Sequence, residues 1–150
     1  MSASGLEVFD STLHKTNLWL KEVMEALDLD NRRHAYLALR GVLQTLRDHL
    51  TLEEVAQLSA QLPLLVRGIY FEGWNPTDKP LKERGKGAFL SGVYYALTPG
   101  FNDIDLDMEQ VVRAVFGVLN QHVSPGELED VRRLLPRAIR DLWPVLSAAP

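Results

Sequence analysis

Three residue types recur at matching positions of this 150-residue chain, and they are the ones whose spacing could do chemistry. Arg40 and Arg113 fall within apolar helical faces, and Glu54 and Glu127 each follow fourteen residues later, in the first turn of the next predicted helix. A guanidinium fork suits a carboxylate or a phosphate, so two such arginines between similar units are a candidate site for a small anionic ligand. The plainer reading is structural: Arg40–Glu54 and Arg113–Glu127 ion pairs that fix how one helix packs on the next. His49 and His122 fall at helix C-terminal ends, where the helix dipole favours a cation. Two histidines without a carboxylate partner make a poor metal site, and no His pair shows i, i+4 spacing.

Other candidates read as structural. Asp103-Ile-Asp-Leu-Asp107-Met-Glu109 alternates acids as a calcium loop does, but Met108 takes the place of the required glycine and Ala114 that of the closing acid. These acids suit a helix N-terminus instead. Arg132, Arg133, Arg137 and Arg140, and Lys79, Lys82, Arg84 and Lys86, form two basic clusters without interleaved aromatics, so they read as solvated faces rather than a nucleic-acid surface. Tyr70, Phe71 and Trp74, with Tyr94-Tyr95, suit a core; any that stay exposed together would form an interface. No Ser-centred triad can be picked out. No catalytic residue, cofactor or metal is therefore expected.

Composition narrows the class. Hydrophobic residues make up 46% and charged residues 24%, which fits a globular fold. The net charge of −4 supplies no general field for nucleic acid. The absence of cysteine excludes disulfides, thiolate metal sites and thiol nucleophiles. Met1-Ser-Ala-Ser-Gly5 is not a secretory signal, and no run approaches the ~18 apolar residues of a membrane span. The expected compartment is the cytoplasm.

The elements that must position these residues are all helical. Phe9, Leu13, Thr16, Leu20, Val23 and Leu27 form one stripe of a helix from about Leu6 to Leu27. Asp30 is a candidate cap for the next helix, whose stripe is Ala35, Leu39, Val42, Leu43, Leu46 and Leu50. Thr51-Leu-Glu-Glu54 and Ser124-Pro-Gly-Glu127 are capping boxes, each opening a short helix. Pro63 and Pro136 suit the first turn of the helices that follow, the last ending near Trp143-Pro144. Glu72 to Gly87, rich in Gly, Pro and basic residues, reads as a loop pinned by Trp74 and Leu81. Phe89, Leu90, Val93, Ala96 and Leu97 restart the helical pattern. A turn over Thr98–Asp103 leads to a helix capped by Asp105 or Asp107 and reaching about Val123.

The restart is a repeat. At an offset of 73, residues 36–70 align with 109–143: Arg40, Val42, Leu46, His49, Glu54, Leu62, Pro63 and Arg67 meet Arg113, Val115, Leu119, His122, Glu127, Leu135, Pro136 and Arg140. Average residue usage predicts roughly two or three such identities. At an offset of 70, Trp19-Leu20 meets Phe89-Leu90, and Val23, Ala26 and Leu27 meet Val93, Ala96 and Leu97.

Several segments carry a family resemblance: Leu39-Arg-Gly-Val-Leu-Gln-Thr-Leu46, Leu58-Ser-Ala-Gln-Leu-Pro63, Tyr70-Phe-Glu-Gly-Trp74, Gln110-Val-Val-Arg-Ala-Val-Phe116 and Glu127-Leu-Glu-Asp-Val-Arg132. From about Phe9 to Pro144 the chain resembles a bacterial family called domain of unknown function 2267. The resemblance implies an all-helical fold without an agreed activity. The family's recurrent Arg falls on Arg40 and Arg113, and its recurrent Leu-Pro on Leu62-Pro63 and Leu135-Pro136. Gly41 departs from the Ala more usual there, which suggests a tight helix contact.

The expected fold is therefore all-α: a tandem duplicated helical bundle of two units of about four helices related by a pseudo-twofold axis. Residues 1–71 form the first unit, 72–87 the connecting loop and 88–150 the second, all within one compact domain. The expected function is a non-enzymatic protein-interaction module with a protein partner or self-association, Tyr70, Phe71 and Trp74 being the interface candidates. Glu54, Glu127, Pro63 and Pro136 are expected to be structural. The alternative is a small anionic ligand held by Arg40 and Arg113.

Overall fold

The computed structural model describes residues 3–98, 100 and 106–145, and every regular element among them is a helix. Eight follow in order: α1 Glu7–Leu27, α2 Arg32–Asp48, α3 Leu52–Ser59, α4 Leu64–Phe71, α5 Lys86–Leu97, α6 Met108–His122, α7 Pro125–Arg133 and α8 Arg137–Arg140. Asp28, at φ 53, turns the chain out of α1 while the Leu29 N–H closes on the Met24 carbonyl. Asn31, not Asp30, caps α2: its side-chain oxygen accepts from the Arg33 N–H at 2.8 Å, a bond that requires the residue directly before the helix. Thr51, Ser124 and Asp107 cap α3, α7 and α6 through their side chains. Pro125 occupies the first turn of α7. Pro63 and Pro136 stand one residue earlier than expected, as the N-cap residues of α4 and α8, and α8 already ends at Arg140. The predicted turn over Thr98–Asp103 and the Asp105 cap fall largely or wholly outside the described residues.

The core is built on α2, whose predicted stripe is buried throughout. α2 packs on α1, α4, α5 and α6; α1 packs on α6, α5 on α6, and α3 on α7. Gly41 faces Ala96 and Leu97 of α5, and a Cβ there would meet them at 3.4–3.5 Å, an ordinary contact. The connecting segment is held at several points. The Leu81 N–H donates to the Asp48 carbonyl at the end of α2, and Trp74 packs on Phe71.

The main departure from the predicted pattern is at the start of α1. Thr16, Leu20 and Val23 are buried as expected, and Trp19 joins them, but Phe9 and Leu13 are 51% and 41% exposed. α1 overhangs the bundle. The counterpart helix α5 begins at Lys86, which the offset of 70 aligns with Thr16, so Glu7–Lys15 has no equivalent in the second half of the chain. The Leu65 N–H of α4 donates to its Thr12 hydroxyl at 2.9 Å.

Candidate functional site

The duplicated glutamates do not pair with the duplicated arginines; they meet each other. α3 and α7 pack together and set the two carboxyls close enough across that contact for a protonated Glu54 to donate to Glu127. Glu54 is 7% exposed. Burial raises its pKa to about 8, helped by the bond to Glu127 and by the negative charges of Glu127, Asp130 and Glu53. As two carboxylates, the pair would leave Glu54 Oε1 and Glu127 Oε1 buried without a donor. One proton held between them removes that deficit and the repulsion together. Local capping does not compete for Glu127. The Ser124 N–H, which a capping box would offer it, donates instead to Gln61 Oε1 at 2.9 Å, and Gln61 also bonds the Ser124 hydroxyl.

Arg40 reaches Glu72 at the end of α4, 3.2 Å away. Arg113 bonds Glu109 one turn earlier on α6 at 2.9 Å and donates to the Asp141 carbonyl beyond α8. The expected Arg40–Glu54 and Arg113–Glu127 pairs therefore do not form, and each arginine is engaged at the end of a different short helix. Glu109, flanked by Arg113 and Lys86, has its carboxyl pKa lowered by hydrogen bonds to both.

The two histidines sit in matching surroundings. His122 stacks on Trp19 with ring centroids 4.9 Å apart, and His49 packs against Phe89 at 5.1 Å. Their polar partners differ. His122 Nε2 meets Glu22 Oε2 at 2.7 Å, whereas His49 uses Nδ1 on the Thr45 carbonyl and its Nε2 is buried without a partner. The offset of 70 places Gly92 where Glu22 stands, and Gly92 helps line a cleft of about 590 Å³ between α2, α5 and residues 78–83. Among the described residues no three His, Asp or Glu side chains are grouped to hold a metal ion.

Tyr70 is wholly buried, with its hydroxyl donating to the Val55 carbonyl at 3.0 Å, so it is a core residue rather than part of a surface. Phe71 and Trp74 are half-buried beside it, ring against ring. Tyr94 and Tyr95 do remain exposed together on α5. A larger apolar surface surrounds the overhang of α1. Leu6, Val8, Phe9 and Leu13 of this end of the chain, and Leu64 and Leu65 of α4, are all 39–53% exposed. Leu13 and Leu65 line one groove of about 620 Å³ between α1, α2 and α4, which continues over Leu20, Tyr36 and Ile69 to Arg32 and Arg33. Sequence periodicity marks Phe9 and Leu13 as core, because an apolar stripe reads alike whether a neighbour within the chain covers it or a partner does.

Arg47 escaped sequence reasoning. It is 5% exposed, pairs with Asp48, and donates to the carbonyls of Tyr70 and Glu72 where α4 ends. Its position in the repeat is taken by Asn120, which donates to the Pro144 carbonyl beyond α8. The alignment carries no identity there, so only the shared task relates the two.

The basic clusters are partly engaged within the chain. Lys86 pairs with Glu109, Arg84 donates to the Leu134 carbonyl, and Arg133 lies 3.8 Å from both Glu129 and Asp130. Of the acidic run, Asp107 caps α6; Asp103 and Asp105 lie outside the described residues. No helix among the described residues is long and apolar enough to cross a membrane.

A family model described as uncharacterized conserved protein (DUF2267) matches residues 16–142. No curated protein matches the chain.

Proposed function

Starting from a chain that belongs to the DUF2267 family of uncharacterized conserved proteins, we propose that it is a non-enzymatic helical interaction module made of two copies of one four-helix unit. The units are 1–71 and 88–150, joined by 72–87 and related by a pseudo-twofold axis. Matched pairings support the duplication. α1 lies on α6 as α5 lies on α2, while α2–α6 and α3–α7 are contacts between like elements, as an axis between the units requires. The ring contacts Trp19–His122 and Phe89–His49 join residues that the repeat aligns. The like-with-like Glu54–Glu127 contact falls where such an axis would run.

The observation that carries the functional reading is the exposed apolar surface of α1 and α4. Such a patch on a well-capped, closely packed protein is the mark of a protein-binding surface. The anionic-ligand alternative, with Arg40 and Arg113 acting together, draws less support, since Glu72, Glu109 and the Asp141 carbonyl already engage the two arginines. Cytoplasmic localisation belongs to the same reading.

A photo-crosslinking residue in place of Leu13, introduced in the native host, tests the proposal. A discrete protein adduct is expected, and none from the same residue in place of Glu129 on α7. Absence of an adduct at Leu13, or the same ladder at both positions, would overturn it.

A further inference from the structure

We infer that the protein covering this groove is a second copy of the chain, paired antiparallel along α1 about a twofold axis near Leu13. The inference rests on the interaction-module reading and names its occupant. The overhang is itself the kind of element the groove would take. Leu6, Phe9 and Leu13 follow at intervals of three and four, forming an apolar stripe that the rest of its own chain leaves half exposed.

The stripe begins at Glu7, in the first turn of α1, and the groove that continues it carries Arg32 and Arg33 at the start of α2, while its one acid, Glu72, is already paired with Arg40. Glu7, Arg32 and Arg33 are exposed, and no ion pair involves them among the described residues. An acid at one end of an apolar stripe and two bases at the other is self-complementary only when two copies run in opposite directions. That arrangement produces the isologous contact of a twofold dimer.

Laying Glu7 of one copy toward Arg32 and Arg33 of the other runs the two α1 helices antiparallel and sets the axis within the apolar part of the stripe, between Phe9 and Leu20, where Leu13 lies. The axis therefore passes through the apolar centre of the patch, and the charged groups fall at its two rims, as in protein interfaces generally.

Sedimentation equilibrium of the full chain, from about 1 µM to about 200 µM, reads this directly. A reversible monomer–dimer equilibrium is expected. Leu13→Asp should weaken it roughly a hundredfold, because the twofold counts the substitution twice. Leu13 is already 41% exposed in the single chain, so the urea midpoint of the monomer should move little. Arg32→Glu with Arg33→Glu should also weaken the dimer, and adding Glu7→Lys should restore it; a merely sticky surface would show no such rescue.

A wild-type chain that stays monomeric over the whole range would overturn the inference, as would a dimer indifferent to Leu13→Asp or a charge reversal that Glu7→Lys does not rescue. The broader reading fails separately. A monomeric chain that still gives a discrete heavier adduct from Leu13 would refute self-pairing alone, whereas no adduct of any kind would refute both.

Discussion

Replacing Glu54 with glutamine separates the shared proton from the fold around it. Glutamine keeps the volume and offers a hydrogen-bond donor to Glu127 at every pH. In the wild type the folded-state pKa of Glu54 is raised from 4.5 to about 8. The folded protein therefore binds a proton that the unfolded chain has lost, and stability falls as pH rises between those two values. At most one proton is involved, so the slope is at most about 1.4 kcal/mol per pH unit, and the full loss approaches about 4–5 kcal/mol. The contribution is intact below about pH 4.5 and gone above about pH 8.

Urea unfolding of wild type and Glu54→Gln from pH 5 to pH 9 is the assay. The difference between the two curves cancels Glu109, whose lowered pKa acts in the opposite sense and at the acid end. Near-equal stability is expected at pH 5, with the variant ahead by several kcal/mol at pH 9. Parallel pH profiles would refute the buried carboxyl pair, and a variant that loses ground as pH rises would invert its sign.

Five further outcomes follow from individual contacts. Gly41→Ala should stabilise the protein by about 0.5–1 kcal/mol in thermal unfolding, since the new methyl has room beside Ala96 and Leu97 and the helix interior loses a glycine. Tyr70→Phe should cost about 1 kcal/mol by the same measurement, by removing the donor to the Val55 carbonyl while keeping the buried ring. Arg47→Met should cost about 2–4 kcal/mol, with hydrogen exchange fastest in α4, because the Tyr70 and Glu72 carbonyls lose their donor. Thr51→Ala and Ser124→Ala should each cost about 1 kcal/mol through loss of a cap.

Much of the fold was legible because each of its signals is local. The stripe from Ala35 to Leu50 has the period of a helix, Thr51 and Ser124 precede glutamates at capping distance, and Pro125 stands where its missing N–H does no harm. Asp30 and Asn31 are both good caps, and only the register of the first turn chooses between them. The sites were less legible because tertiary contact decides them. Glu54 and Glu127 read as the second halves of capping boxes until the packing of α3 on α7 turns them toward each other and Gln61 takes the Ser124 N–H. Arg40 lies fourteen residues from Glu54 in sequence yet ends beside Glu72, since the end of α4, not the start of α3, faces its part of α2. Leu13 has the periodicity of a core residue because no local signal records that α2 and α4 leave a groove open beside it.

Nuclear Overhauser contacts between aromatic side chains probe the crossing of the two halves most directly. A pair of copies that exchange their first helices across an axis must show both Trp19 to His122 and Phe89 to His49, whose ring centroids lie 4.9 and 5.1 Å apart. Observing both would uphold the duplicated arrangement. Finding one without the other, or finding Trp19 against His49, would contradict it.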